Sequence, residues 1–243
     1  MIRDLAVVLW KEWLELRRSD SAWIAVVTLV VFLGMIGVFL PWLLGPLWIR
    51  APWVAFIWAW IPMFLVTTVT ADAFAGERER RTLETLLATR LSDRAILWGK
   101  WLASVAWVVG ATLLSLPVGV LTLNLLFENG PFLPSPAQIA ATVTVTFAAG
   151  GFGGGIGVLV SLRASSVRHA QQVLAIIVFA LAFCPLVLLR VLPRDWTGGL
   201  IQAVASGSLA GTSWVVAAAF GLVTLPILAL ATLRFRRGRI PLK

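Results

Sequence analysis

Charge, sulfur and phenol are all scarce in this 243-residue chain. Only 13% of residues are charged, against roughly 25% in soluble proteins, so a water-facing surface cannot be covered. Tyrosine is absent, and there is one histidine and one cysteine. A lone cysteine, Cys184, excludes an internal disulfide or a thiolate metal cluster; it lies in an apolar run and is expected to be a small buried residue. A lone histidine, His169 beside Arg168, excludes an HExxH zinc site and reads as an interfacial polar residue. Acidic residues are outnumbered, 11 against 20 basic ones, for a net charge of +9. No soluble domain interleaves those basic residues with aromatics, so nucleic acid is not the expected partner. Residues 1–20 carry charges throughout and lack a small-residue cleavage site, which argues against a cleavable leader.

What is abundant is apolar sequence. Hydrophobic residues make up 60% of the chain and the mean hydropathy is +0.94. A helix crossing the hydrocarbon needs about 20 mostly apolar residues. Six stretches qualify, at 22–45, 53–75, 99–126, 137–162, 172–192 and 212–233. The third is long enough to tilt or project. The second contains Pro62, tolerated in a membrane helix as a kink. The expected fold is therefore an all-α integral membrane protein, a single transmembrane domain over 1–243.

The basic residues then set the topology. The N-terminal segment, the second and fourth loops and the tail hold 17 Lys and Arg residues, and the other side holds Arg50, Arg190 and Arg194. That asymmetry predicts that the richer side, with both termini, is cytoplasmic in a cell membrane. Within the N-terminal segment, Ile2, Leu5, Leu9, Trp13 and Leu16 recur every three or four residues, with Asp4, Lys11, Glu12, Glu15 and Arg18 between them. This is the pattern of an amphipathic in-plane helix over 1–20, closed by the Ser19-Asp20-Ser21 break.

The second loop reads GERERRTLETLLATRLSDRAILWGK over residues 76–100. Leu83, Leu86, Leu87 and Leu91 form one helical stripe, and Glu77 and Arg81 stand at i, i+4. A short amphipathic helix from about Glu77 to Thr89 is expected, with Ser92 and Asp93 capping the helix that follows. Such a helix suits docking of a protein partner, or equally contact with its own spans. The run from Gly76 to Thr89, then Leu91-Ser92-Asp93-Arg94 and Gly99-Lys100, resembles the signature of ABC transporter permeases of the exporter-type second family. The layout also matches: six spans, an N-terminal in-plane helix, and this segment after the second span. Arg81 stands where that family often has glycine, and Arg90 where it usually has proline.

The resemblance implies that 76–94 is a coupling segment seated in a separate ATPase, with Glu77, Glu79, Thr82, Leu83, Glu84, Leu86 and Leu87 at the matching positions. It also implies export, a second permease copy or paralogue, and ATP and magnesium held by the partner chain. No cofactor, metal or catalytic residue is expected on this chain. Gly150, Gly151, Gly153, Gly154 and Gly155 are no phosphate loop, since no Lys-Ser/Thr follows; at membrane depth they point to close helix packing. Alternatives within the family are a haem-exporter-like or cytochrome-maturation subunit, or a subunit that transmits ATPase motion without conducting. An ion-driven secondary transporter would need paired ionisable groups at mid-membrane, and a structural scaffold is a further class. Asp72, at the end of the second span, is either a boundary cap or a functional group. Asn124 and the following loop are candidates for bordering an exit. Trp42, Trp48, Trp53, Trp58 and Trp60 are expected to form an aromatic belt.

Overall fold

The computed structural model describes residues 2–18, 21–80, 82, 88–127, 131–191 and 193–235. Helix α1 is Ile2–Arg18. Helix α2 runs from Ser21–Leu33 through a π-helical stretch, Gly34–Phe39, into Leu40–Leu44. Gly45, at φ 56°, ends it in a backbone conformation that a side chain would disfavour, and a short turn, α3, Leu47–Arg50, follows. Helix α4 is Val54–Ala71, continued by a π turn at Asp72–Gly76 and by Glu77–Glu79. Then come α5, Asp93–Leu126; α6, Pro136–Ser161; α7, Val167–Val191; α8, Arg194–Ser206; and α9, Leu209–Arg234.

Six segments are long and apolar enough to span a membrane: Val26–Leu44, Val54–Glu79, Asp93–Leu126, Pro136–Ser161, Val167–Cys184 and Leu209–Arg234. Each overlaps one of the stretches expected from hydropathy. At 34 residues, α5 is about 50 Å long at 1.5 Å per residue, well over the roughly 30 Å hydrocarbon core. Its first turns therefore reach beyond the apolar layer. Those turns form part of one end of the bundle, together with α1, the end of α4, the α6–α7 turn and the end of α9. Most of the described arginines and lysines lie at this basic end.

Helix α6 is the hub, packed between α4 and α9 with α5 against its flank. Its glycines explain why three neighbours can come so close. A Cβ at Gly153 would stand 2.8 Å from the Met63 carbonyl oxygen, and one at Gly155 2.9 Å from Ile227. One at Gly157 would collide with the Thr70 hydroxyl. Trp101 of α5 lies along Gly154 and donates its indole N–H to the Gly151 carbonyl at 3.1 Å. The glycine run thus packs helices, as its membrane depth suggests.

The opposite end is fastened by polar contacts. Ser135 and Gln138 form a reciprocal cap at the start of α6, and Gln138 also donates to the Ile49 carbonyl at 3.1 Å. Asn124 clasps the backbone of Phe132 from both sides, accepting its N–H at 2.8 Å and donating to its carbonyl at 3.1 Å. Asn124 thereby shapes the α5–α6 loop. Two expectations change here. Trp42 and Trp53 are exposed and suit a belt, but Trp48 and Trp58 are buried against each other, ring centroids 5.4 Å apart, with Trp48 filling the space over Gly119. Cys184 is exposed, because α7 turns a broad face outward from the bundle. Helix α8, within what hydropathy left as a loop, is a mostly exposed helix at this end.

Candidate functional site

The densest charged cluster lies where α4 leaves the apolar layer. The sequence places the end of this span near residue 75 and a new helix from Glu77. Instead α4 runs on through the π turn to Glu79, and Arg80 turns the chain away. Asp72 and Arg80 pair at 3.1 Å on the outer face of that turn, so Asp72 is a boundary group with a partner of its own. Gly76 lies directly beneath them, and a Cβ there would strike the Asp72 carboxylate. Thr82 donates its hydroxyl to the Glu77 carbonyl at 3.2 Å.

Three consecutive side chains of α4 then reach three different places. Glu77 turns inward and is buried, 4% exposed. Its Oε1 receives Lys11 of α1 at 2.5 Å and Lys100 of α5 at 2.8 Å. Lys100 is itself 1% exposed, also binds Glu12 of α1 at 2.7 Å, and stands 5.7 Å from the centre of the buried Phe74 ring. Lys11 completes the ring of four at 3.4 Å from Glu12. Among the described side chains each buried charge of this cluster thus meets opposite charge, which offsets much of the cost of burying it.

Arg78 points the other way. Its guanidinium donates to the Ala164 carbonyl at 2.7 Å and the Leu162 carbonyl at 2.8 Å. These oxygens lie at the C-terminal end of α6, where carbonyls run out of helical donors and the helix dipole favours a cation. Glu79 accepts the backbone N–H of Val167 at 3.4 Å, the first residue of α7, where an anion is favoured. Thus Glu77-Arg78-Glu79 binds α4 to α1, α5, α6 and α7.

Of the residues marked by sequence, Glu77, Glu79 and Thr82 meet at this junction. Leu83, Glu84, Leu86 and Leu87 lie outside the described residues, as does Arg81, the supposed helical partner of Glu77. Ser92 does cap α5, accepting the Ala95 N–H at 3.3 Å. Sequence reasoning assigned Lys11, Glu12 and Lys100 to topology or to a helix surface and missed their meeting. A usable signal existed: with Ser92 as cap, Lys100 falls about two turns inside α5, where an unpaired cation would be costly. Helix α1 docks on α5 at the same level, with Val8 fully buried against Gly99. Its exposed side carries Val7, Trp10 and Trp13, a face rotated from the leucine stripe read from the sequence. His169 is exposed and free of any acidic or sulfur cluster; among the described residues no group of His, Cys, Asp and Glu could hold a metal ion.

Comparison with known proteins agrees with this architecture. Residues 53–239 match the family model for ABC-2 family transporter proteins. Over 137 residues the chain is 28% identical to a protein of Bacillus subtilis (strain 168) called ABC transporter permease protein NatB. That match covers 51% of this chain and 35% of the relative, so the chain spans about a third of the length of the curated protein it matches.

Proposed function

Because this chain belongs to the ABC-2 family of transporter proteins, we propose that it is the permease subunit of an ABC exporter, driven by ATP hydrolysed on a separate nucleotide-binding chain. It works beside a second permease copy or paralogue, and carries no ATP or magnesium itself. The observation that carries this reading is the Glu77-Arg78-Glu79 junction, a single point of one span from which four other helices are held. A force applied just beyond it, on Thr82, Leu83, Glu84, Leu86 and Leu87, acts on the whole basic end and not on one helix. Glu77 then serves as an inward transmission residue, while Glu79 and the segment after it face the ATPase.

The basic end is cytoplasmic in this reading, with both termini on that side and α1 in the interfacial plane. Trp10 and Trp13, exposed on α1 beside Arg3, suit a headgroup layer that favours tryptophan and arginine. The ion-driven alternative requires titratable pairs at mid-membrane; among the described residues the buried ion pairs sit at one end.

Two experiments test the proposal. Gentle solubilisation from native membranes with a tag on this chain should bring down an ATPase; its reproducible absence sinks the permease reading. In a Cys184→Ser background, Leu133→Cys should react with an impermeant maleimide in intact cells, and Ser165→Cys only after permeabilisation. Both sites are exposed, at opposite ends, and the reverse pattern would invert the proposed topology.

A further inference from the structure

We propose that Lys100 is a positioning residue that makes α5 move together with the coupling segment and α1, an inference that rests on the permease function above. The geometry of the four-membered ionic ring supports this. Lys11 and Glu12 belong to α1, Glu77 to α4 and Lys100 to α5, and each lysine touches both carboxylates. The two lysines are therefore alike in charge balance. They are unlike in connectivity.

Without Lys11, Lys100 still links Glu12 of α1 and Glu77 of α4 to α5, so all three helices stay joined. Without Lys100, Lys11 still neutralises both carboxylates and still ties α1 to α4, but the ion pairs that bring in α5 are gone. The apolar dock of α1 on α5, Val8 against Gly99, remains in either case. Removing Lys100 should thus leave a folded protein in which only apolar contact, which can slide, joins α5 to the moving parts. Lys100 is also the member best placed for this role. It is almost wholly enclosed, its ammonium stands 5.7 Å from the centre of the Phe74 ring, and it emerges from a long helix that continues across the whole apolar layer to Asn124. A displacement at Lys100 is carried by a continuous helix to the far end.

The test uses the full chain co-purified with its ATPase, in detergent or nanodiscs, with hydrogen exchange read by mass spectrometry before and after trapping with ATP and vanadate. ATP turnover is measured in parallel. In the wild type and in Lys11→Met, trapping should change exchange by about threefold or more, both near residues 77–80 and in the first turns of α5. In Lys100→Met the change should persist near 77–80 and fall to background in α5, and Lys100→Arg should restore it. Because the readout is the difference on trapping, a uniform loosening of the bundle does not mimic it. Lys100→Gln, which keeps a hydrogen-bonding head, serves if the methionine variant does not fold. An α5 response in Lys100→Met or Lys100→Gln equal to the wild type overturns the proposal, as does equal loss in Lys11→Met. Failure of any ATPase to co-purify overturns instead the function on which it rests.

Discussion

Each lysine of the ring can pair both carboxylates when the other is gone, so the effect of their removal on stability should be strongly non-additive. In Lys11→Met, Lys100 stays at 2.7 Å and 2.8 Å from the two carboxylates. The Lys11 side chain is 33% exposed, so its ion pairs are partly screened and their loss costs about 1 kcal/mol or less. In Lys100→Met, a side chain of similar length fills the buried space. Lys11 keeps both acids paired, and one buried charge no longer has to be desolvated, so again about 1 kcal/mol is expected. The double variant differs in kind. Glu12 and Glu77, 13% and 5% exposed, then face each other with no cation, and stranding buried charge costs about 3–5 kcal/mol. The coupling energy is therefore about 1–3 kcal/mol.

Thermal unfolding of the detergent-solubilised protein, followed by size exclusion of a fluorescent fusion, reads this directly. For a chain of this size about 1 kcal/mol shifts Tm by 2–4 °C. Each single variant should stay within about 4 °C of the wild type and the double should fall by about 10 °C. Adding Glu12→Gln and Glu77→Gln to the double variant should recover much of the loss, because no stranded charge remains. A double-variant shift equal to the sum of the singles refutes the shared-ring argument. So does failure of the quadruple variant to regain stability.

Four further outcomes follow from other positions. Gly153→Ala places a methyl against the Met63 carbonyl oxygen, a backbone atom that cannot rotate away, and should cost about 1–3 kcal/mol. Gly110→Ala, inside α5 with nothing within 4 Å, should leave Tm equal or slightly raised. Arg78→Lys replaces a two-pronged donor with a single point charge, so one of the Leu162 and Ala164 carbonyls loses its partner; trypsin should then cut at Arg163 and Arg168 several-fold faster. Asn124→Ala removes both bonds to Phe132 and should cost about 1–2 kcal/mol, with faster amide exchange at Phe132 and Leu133.

How much of this was legible beforehand depends on the range of the interaction concerned. Six spans could be read because hydropathy over about 20 residues is a local property. The Ser92 cap could be read because its partner, the Ala95 N–H, is three residues away. The close packing of the α6 glycines followed from their depth. By contrast, Lys11 and Glu77 are 66 residues apart, and Glu12 and Lys100 are 88 apart; no periodicity links them. That is also why α4 overran its expected end. Composition says that Glu77 and Arg78 belong in water, and only partners supplied by other helices make it favourable to keep them in the bundle. The Ser135 and Gln138 cap is likewise local, an S-x-x-Q pattern at the start of α6. Helix α8 is too short and too polar for a span and gave no long-range signal.

The placement of polar groups bears on how such a protein could move. In the apolar layer most buried hydroxyls bond back to their own helix: Thr70 to the Val66 carbonyl, Thr112 to Val108, Thr224 to Phe220. Trp101 and Thr122 do reach across to a neighbouring helix. Elsewhere contact between spans is largely a matter of shape, with glycine faces against methyl groups and rings. Such surfaces can shift against one another without leaving a polar group unpaired, which in a bilayer would be costly. At the basic end the reverse holds, since charged, directional bonds join five helices through residues 77–79. A bundle whose charged bonds gather at one end, and which is mostly packed along its length, answers a push at that end by moving its helices as connected bodies. A protein gated by a titrating ion would need its ionic contacts inside the layer. Here they sit where another protein can pull on them.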